Sequence, residues 1–244
     1  MVGSIEAMAN GSPDVTDATG PAGEAAAESA DAPGPTRLVL VRHAVTGETG
    51  SVLSGRTPGI DLSEEGRAQA KAVAERLADV PVDVVYASPI ERTTQTAQAI
   101  ADVHGLEVRP LEGVIEAEYG GWTGQKLSDL AKTELWKTVQ RAPSRATFPD
   151  GESILAMQTR AVEALDAVVA AHPGEIVVVV SHSDVIKAAA AHYLGMPLDL
   201  FQRLVVAPAS VTAFGFLPGM APFALTVNDA GSLSFLAPPA KEAS

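Results

Sequence analysis

Two histidines end apolar runs in this chain, and no others do. Leu38 to Val41, led in by Arg37, is a run of branched apolar residues that stops on Arg42 and His43. Ile176 to Val180 is a second such run, stopping on Ser181, His182 and Ser183. Continuous apolar runs of this length read as buried parallel strands. Such strands deliver their last residues to the carboxyl edge of the sheet, where open α/β folds bind ligands. An imidazole there can act as nucleophile, base or acid near neutral pH. The remaining histidines read more plainly. His104 and His172 lie at helix ends beside Gly105 and Pro173, as solvated termini, and His192 lies inside a helix as a structural residue.

Arg92 adds charge to the same edge. It follows Ser88-Pro89-Ile90-Glu91, where a second strand gives way to a helix. A cation in a helix's first turn opposes the helix dipole. Its place makes sense if an anion binds between it and Arg42, two guanidinium forks holding a phosphoryl group bidentately.

The elements that must position these groups alternate. A strand ends at His43, and a loop rich in Gly, Ser and Thr runs from Ala44 to Asp61. Ser63 caps a helix with Glu64 and Glu65 in its first turn and Ala70, Val73, Ala74 and Leu77 as its apolar stripe. Val82 to Tyr86 reads as a strand. Ser88-Pro89 opens a helix that runs to Val103 and stops near Gly105. Leu106 to Leu111 is a third strand, and Glu112 to Gly124 is a loop. One helix spans Lys126 to Val139, and Phe148-Pro149-Asp150-Gly151 is a turn. An amphipathic helix from Ile154 to Ala171 precedes the strand to His182, and a further helix runs from Asp184 to Leu194. Ser210 to Phe216 and Phe223 to Val227 read as late, antiparallel strands. The order predicts a mostly parallel sheet with right-handed crossovers.

Residues 1–36 stand apart. They hold six acids, no Lys or Arg and few large apolar side chains, a composition that cannot offset the entropy of ordering. The expectation is a disordered acidic Ala/Gly/Pro-rich tail, one domain over 37–236, and a loose end over 237–244. The net charge of −13 disfavours nucleic-acid partners, which need a basic face. It also requires any anion site to gather positive charge locally. With no cysteine, disulfides and thiolate metal sites are excluded. No apolar stretch approaches the roughly 20 residues that cross a bilayer, and no secretory pattern opens the chain. A cytoplasmic protein without a membrane partner is expected. Oligomeric state is left open, a homodimer included.

Four motifs in order resemble the histidine phosphatase superfamily, also called phosphoglycerate-mutase-like. Arg42-His43-Ala44 with Thr46 is similar to its Arg-His-Gly-x-Thr signature, and Ser88-Pro89 with Arg92-Thr93 and Gln95-Thr96-Ala97 to its second motif. Glu116, four residues before Gly120, is similar to its acid motif, and Ser181-His182-Ser183 with Val185-Ile186 to its last. Ser54-Gly55-Arg56 and His182 to Lys187 most resemble actinobacterial members described as probable phosphomutases. The resemblance covers about residues 37–194 and departs from the pattern at Ala44, Thr49 and Ser183, where glycine, asparagine and glycine are usual.

The resemblance implies a three-layer α/β/α sandwich and a phosphomonoester hydrolase that uses neither cofactor nor metal. His43 would carry the phosphoryl group. Arg42, Arg92, His182 and Ser183 would bind it, His182 also sharing in catalysis, and Glu116 would serve as proton donor. Glu118 is the rival acid. Thr46, Thr49, Ser54 and Gly55 would meet the substrate, although Thr46 and Ser54 read better as turn residues than as hydroxyl donors. Arg56 would reach a second anionic group or be solvated. A phosphomutase of the phosphoglycerate type and a non-catalytic phosphate binder are the alternatives. Between the acid and the last motif, Lys126 to Arg145 is shorter than the water-excluding insertion of the mutases, which favours hydrolysis.

Overall fold

The computed structural model describes residues 34–231. The expected tail therefore lies almost wholly outside the described residues, as does the expected loose end at 237–244. Thr36, assigned to that tail, is instead the first residue of the first strand: its hydroxyl donates to His172 O at 3.0 Å and accepts from Gly174 N at 2.9 Å.

Six strands form one sheet. β1 (Thr36–Arg42), β2 (Val84–Ala87), β3 (Val108–Pro110), β4 (Ile176–Ser181), β5 (Val211–Phe216) and β6 (Phe223–Asp229) lie in the order β3-β2-β4-β1-β5-β6. The first four positions are parallel, β5 pairs antiparallel with β1, and β6 pairs antiparallel with β5. Helices cover both faces, and the strands' two-residue period sorts their side chains between them. Val39, Val41, Val178 and Val180 face α1 (Glu64–Leu77) and α2 (Glu91–His104). Leu38, Leu40, Val177 and Val179 face α5 (Ile154–Ala171) and α6 (Ser183–Tyr193). Every residue of β4 is buried, which is why its sequence lacks polar alternation.

Local chemistry sets the ends. Gly66 N donates to the Ser63 hydroxyl at 3.0 Å to start α1. Gly105, at φ 65°, caps α2 in the left-handed conformation. Among the described residues no helix is long and apolar enough to cross a membrane.

Three expectations need correction. α2 begins at Glu91, not at Ser88-Pro89, because the Ser88 hydroxyl is engaged by His182 and the Ser88 carbonyl by the Thr93 hydroxyl. The helix expected over 126–139 breaks into α3 (Leu127–Leu130) and α4 (Glu134–Arg141). Thr133 causes the break, since its hydroxyl accepts from Trp136 N as the N-cap of a new helix. His172 is not a solvated terminus: its ring joins Tyr86 Oη at 3.1 Å and Glu175 at 2.6 Å.

Gly66 also ties α1 to the segment that follows His43. A Cβ there would stand 1.9 Å from the Val45 carbonyl oxygen. Gly66→Ala should cost about 1–3 kcal/mol, read by chemical denaturation. Unchanged stability would mean that this contact relaxes freely.

Candidate active site

The two histidines meet because their strands are neighbours in register. Arg42 pairs with Ser181 across β1 and β4, and His43 N donates to Ser181 O at 2.9 Å. The His43 and His182 ring centroids lie 5.3 Å apart at 62°. β2 ends on the other side of β4, where Ser88 N donates to Val180 O at 3.0 Å. Arg92, in the first turn of α2, thereby enters between the imidazoles. Its Nε donates to His43 Nε2 and its Nη2 approaches His182 Nδ1, each at 3.3 Å, while Nη2 also donates to Gly55 O at 2.7 Å.

Each ring has an assigned second nitrogen. His43 Nδ1 sits 2.7 Å from Ala44 O, an acceptor only, so this nitrogen carries the proton and Nε2 keeps its lone pair. His182 Nε2 lies 2.8 Å from the Ser88 hydroxyl. Burial, with the Arg92 charge beside it, pushes His43 down to about 3. Burial and the neighbouring His43 hold His182 well below its ordinary value. Both rings are neutral near pH 7.

Glu116 stands across the cavity, its Oε2 3.8 Å from His182 Nδ1 and its Oε1 accepting from Ala117 N at 2.9 Å. Burial, reinforced by Asp184, pushes its carboxyl up to about 7. The approach to His182 is therefore not an ion pair. A neutral nucleophilic imidazole and a half-protonated carboxyl are a matched nucleophile and acid.

Positive charge concentrates where an anion would sit. Arg42 Nη1 donates to Val206 O at 2.7 Å. Arg42 Nε and Arg92 Nη1 are buried and find no acceptor among the described residues. Buried unpaired donors are costly, and two of them here amount to a prepared anion site. Ser183, the first residue of α6, lines the same cavity of about 350 Å³, adding a helix N-terminus.

The structure thus brings His43, Arg42, Arg92, Glu116 and Ser183 to one cavity with Thr46, Thr49, Ser54 and Gly55 on its wall. The hydroxyls of Thr46 and Thr49 lie 3.1 Å apart and mainly hold their own turn, and Ser54 donates to Glu48. His182 is wholly buried and lies behind Arg92 and Glu116. Arg56 is not brought to the cavity. It is bound by Glu118 at 3.2 Å and Glu152 at 3.0 Å, and its Nε donates to Glu116 O at 2.8 Å. Two carboxylates and a carbonyl hold it there, half-buried and turned from the cavity. The rival acid Glu118 is spent in the same pair. Among the described residues no group of three His, Asp or Glu side chains is placed to hold a metal ion.

Sequence reasoning missed two features. The cavity's outer wall carries both tryptophans, Trp122 and Trp136, with Lys187 and Gln202. The second is Arg160 on α5. It donates to the carbonyls of Gly113 and Ile115 at 2.8 Å each and of Glu116 at 3.1 Å, and pairs with Glu152 at 2.6 Å. That guanidinium, with Arg56 on Glu116 O, holds the loop that carries Glu116. Only a charge interrupting the border of an amphipathic helix hinted at it.

The histidine phosphatase superfamily (branch 1) model matches residues 38–229. Phosphoserine phosphatase 1 of Hydrogenobacter thermophilus is 36% identical over 170 residues, covering 68% of this chain and 79% of that protein. A probable phosphoglycerate mutase of Erwinia tasmaniensis is 32% identical over 181 residues, covering 72% and 83%. The solved structure of a mycobacterial glucosyl-3-phosphoglycerate phosphatase superposes with a TM-score of 0.72 at 25% identity, covering 80% of this chain and 99% of that one.

Arg160→Met should lower kcat by on the order of tenfold to a hundredfold while KM changes little, because the acid is misplaced rather than removed. Arg160→Lys should restore little, since an ammonium cannot span three carbonyls. Wild-type kcat in both variants, measured by phosphate release, would show that the loop holds itself.

Proposed function

The chain belongs to the histidine phosphatase superfamily, and from that premise we propose that it hydrolyses phosphomonoesters through a phosphohistidine at His43 Nε2. The observation that carries this reading is the His43 Nε2 lone pair, its ring fixed by Ala44 O and its one donor the Arg92 Nε, beside the unpaired N–H groups of Arg42 and Arg92.

A monoester near neutral pH carries about −1.5 to −2 charges. Its phosphoryl oxygens take the donors of Arg42 and Arg92, drawing Arg92 off His43 Nε2 and His182 Nδ1. His182 joins them through its Nδ1–H tautomer, in which Nε2 accepts from the Ser88 hydroxyl. The His43 Nε2 lone pair attacks phosphorus and the P–O bond to the alcohol breaks in line. Glu116, protonated because it is buried, gives its proton to the leaving oxygen. The resulting carboxylate then accepts a proton from water as that water attacks phosphorus and breaks the N–P bond. Inorganic phosphate leaves, and Glu116 is protonated again. Positioning and charge neutralisation supply most of the catalysis.

The likeness to a probable phosphoglycerate mutase supports a second reading, in which the phosphoryl group returns to the substrate. A mutase must shield phosphohistidine from water. Here the segment over the cavity mouth consists of α3 and α4, of 4 and 8 residues, which favours hydrolysis. Isomerisation of 3-phosphoglycerate without phosphate release would reverse that preference.

His43→Ala should abolish turnover and the acid-labile phosphate trapped by rapid quench. Persistence of either would remove His43 from the mechanism. The pH profile follows from Glu116. Its carboxyl holds the needed proton below about 7 and loses it above, so kcat/KM should fall on the alkaline side with a midpoint near that value. Glu116→Gln should slow alkyl esters by roughly 10²–10⁴-fold and a phenyl ester far less, since phenolate leaves without a proton. Equal losses for the two esters would assign the acid elsewhere.

A further inference from the structure

The half of the cavity beyond the arginines is built for an apolar group. Its wall is an aromatic row: Tyr119 to Phe148 at 4.8 Å between centroids, Phe148 to Trp122 at 5.5 Å, and Trp122 to Trp136 at 6.2 Å. Leu53, Leu127 and Val139 continue it. The chain has only two tryptophans in 244 residues, and both are here.

Charge in that half is nearly absent or already matched. Among the described residues Lys187 is the one Lys or Arg lining the cavity besides Arg42 and Arg92. Its Nζ lies 3.4 Å from Asp184 Oδ1 and 3.1 Å from Gln202 Oε1, above the Phe201 ring. Asp184 also accepts from Tyr119 Oη at 3.2 Å. Glu48 reaches the rim through the Ser54 hydroxyl at 2.6 Å and has no cation partner among the described residues. The two guanidiniums on the acid loop are also matched, Arg56 by Glu118 and Glu152 and Arg160 by Glu152. Past the phosphoryl cradle, therefore, the one lysine is paired with Asp184, and a second carboxylate, Glu48, stands at the rim without a cation. A second anionic group on the leaving alcohol would lose its hydration and find that lysine already paired, which costs binding. An alkyl or aryl group would exchange water for the aromatic wall, which favours binding in proportion to its area.

We propose that the substrates of this site are phosphate monoesters of neutral, apolar alcohols, bound against Trp122 and Trp136, and not the carboxylate-bearing phosphates named for its relatives. The proposal rests on the hydrolase reading above. It sets this chain apart from a phosphoserine phosphatase and a glucosyl-3-phosphoglycerate phosphatase by the chemistry of the wall, with the phosphoryl cradle unchanged.

The test is phosphate release from primary alkyl esters, whose leaving alcohols differ little in acidity, so that rates report the pocket. Hexyl and benzyl phosphate are compared with methyl phosphate, O-phosphoserine and 3-phosphoglycerate. We expect kcat/KM for the first two to exceed that for the last two by at least tenfold, chiefly through KM. Trp136→Ala should lower the hexyl and benzyl values at least threefold more than the methyl value. Glu48→Gln should raise the 3-phosphoglycerate value relative to hexyl phosphate. Preference for O-phosphoserine or 3-phosphoglycerate, with hydrolysis intact, would overturn the apolar assignment alone. So would a Trp136→Ala loss equal for methyl and hexyl esters, or a Glu48→Gln variant that leaves the ratio of 3-phosphoglycerate to hexyl phosphate as it was. No phosphate release from any ester would overturn the hydrolase reading and the assignment together.

Discussion

The structure turns on one guanidinium held between two imidazoles. Arg92 touches His43, His182 and Gly55 at once, from the first turn of a helix whose dipole opposes it. A cation is stable there only because neutral ring nitrogens and a carbonyl receive its protons. The arrangement leaves Arg92 Nη1 and Arg42 Nε unsatisfied. Those donors are left for the oxygens of an arriving phosphoryl dianion. Affinity for the phosphoryl group is thus prepared in advance, and the strands β1, β4 and β2 exist in this order partly to make that preparation possible.

Burial does two opposite things within a few ångströms, and the chemistry needs both. It withdraws the proton from His43 Nε2, leaving a lone pair, and it favours a proton on Glu116, the pairing that the proposed reaction needs. Desolvation penalises whichever form is charged, so one dry cavity yields a base-like nucleophile and an acid from groups whose ordinary order of proton affinity is the reverse. Asp184 assists by repelling negative charge on Glu116. A strongly acidic chain solves its charge problem in the same neighbourhood. Arg56 and Arg160 are consumed in holding the acid loop through Glu152 and backbone carbonyls, and only Arg42, Arg92 and Lys187 face the cavity.

The catalytic half of this arrangement was legible in the sequence because it is local. An apolar run fixes a buried strand, and the residue after it must appear at the sheet edge, so His43 and His182 declare themselves. Sheet order adds that β1 and β4 are neighbours, which spacing alone does not state. The parts that stayed hidden are those that depend on contacts between distant loops. Nothing in Ser54-Gly55-Arg56 says that Arg56 turns from the cavity toward Glu118 and Glu152. Nothing in α5 says that Arg160 reads three carbonyls of residues 113–116. Helix limits failed for the same reason: Ser88 looked like a cap, and its hydroxyl went to His182. Thr133 could have been read as an interior residue or a cap, and packing of Trp136 toward Trp122 decided for the cap.

The division between the two halves of the cavity also explains why relatives with different named substrates can share a catalytic core. The phosphoryl cradle is set by sheet order and by strand ends, which cannot move without undoing β1, β4 and α2. The outer wall is set by α3, α4, the turn at Phe148 and residues 119–122, none of them part of the sheet. The side chains that α3 and α4 contribute touch neither Arg92 nor either histidine through a hydrogen bond. Trp136 illustrates this separation, since it extends from a helix of 8 residues that begins only because Thr133 ends the one before. Selectivity for the leaving group therefore resides in the part of the protein that is mechanically separate from the nucleophile, and the identity of that group is written in the wall's polarity and not in the motif that holds phosphorus.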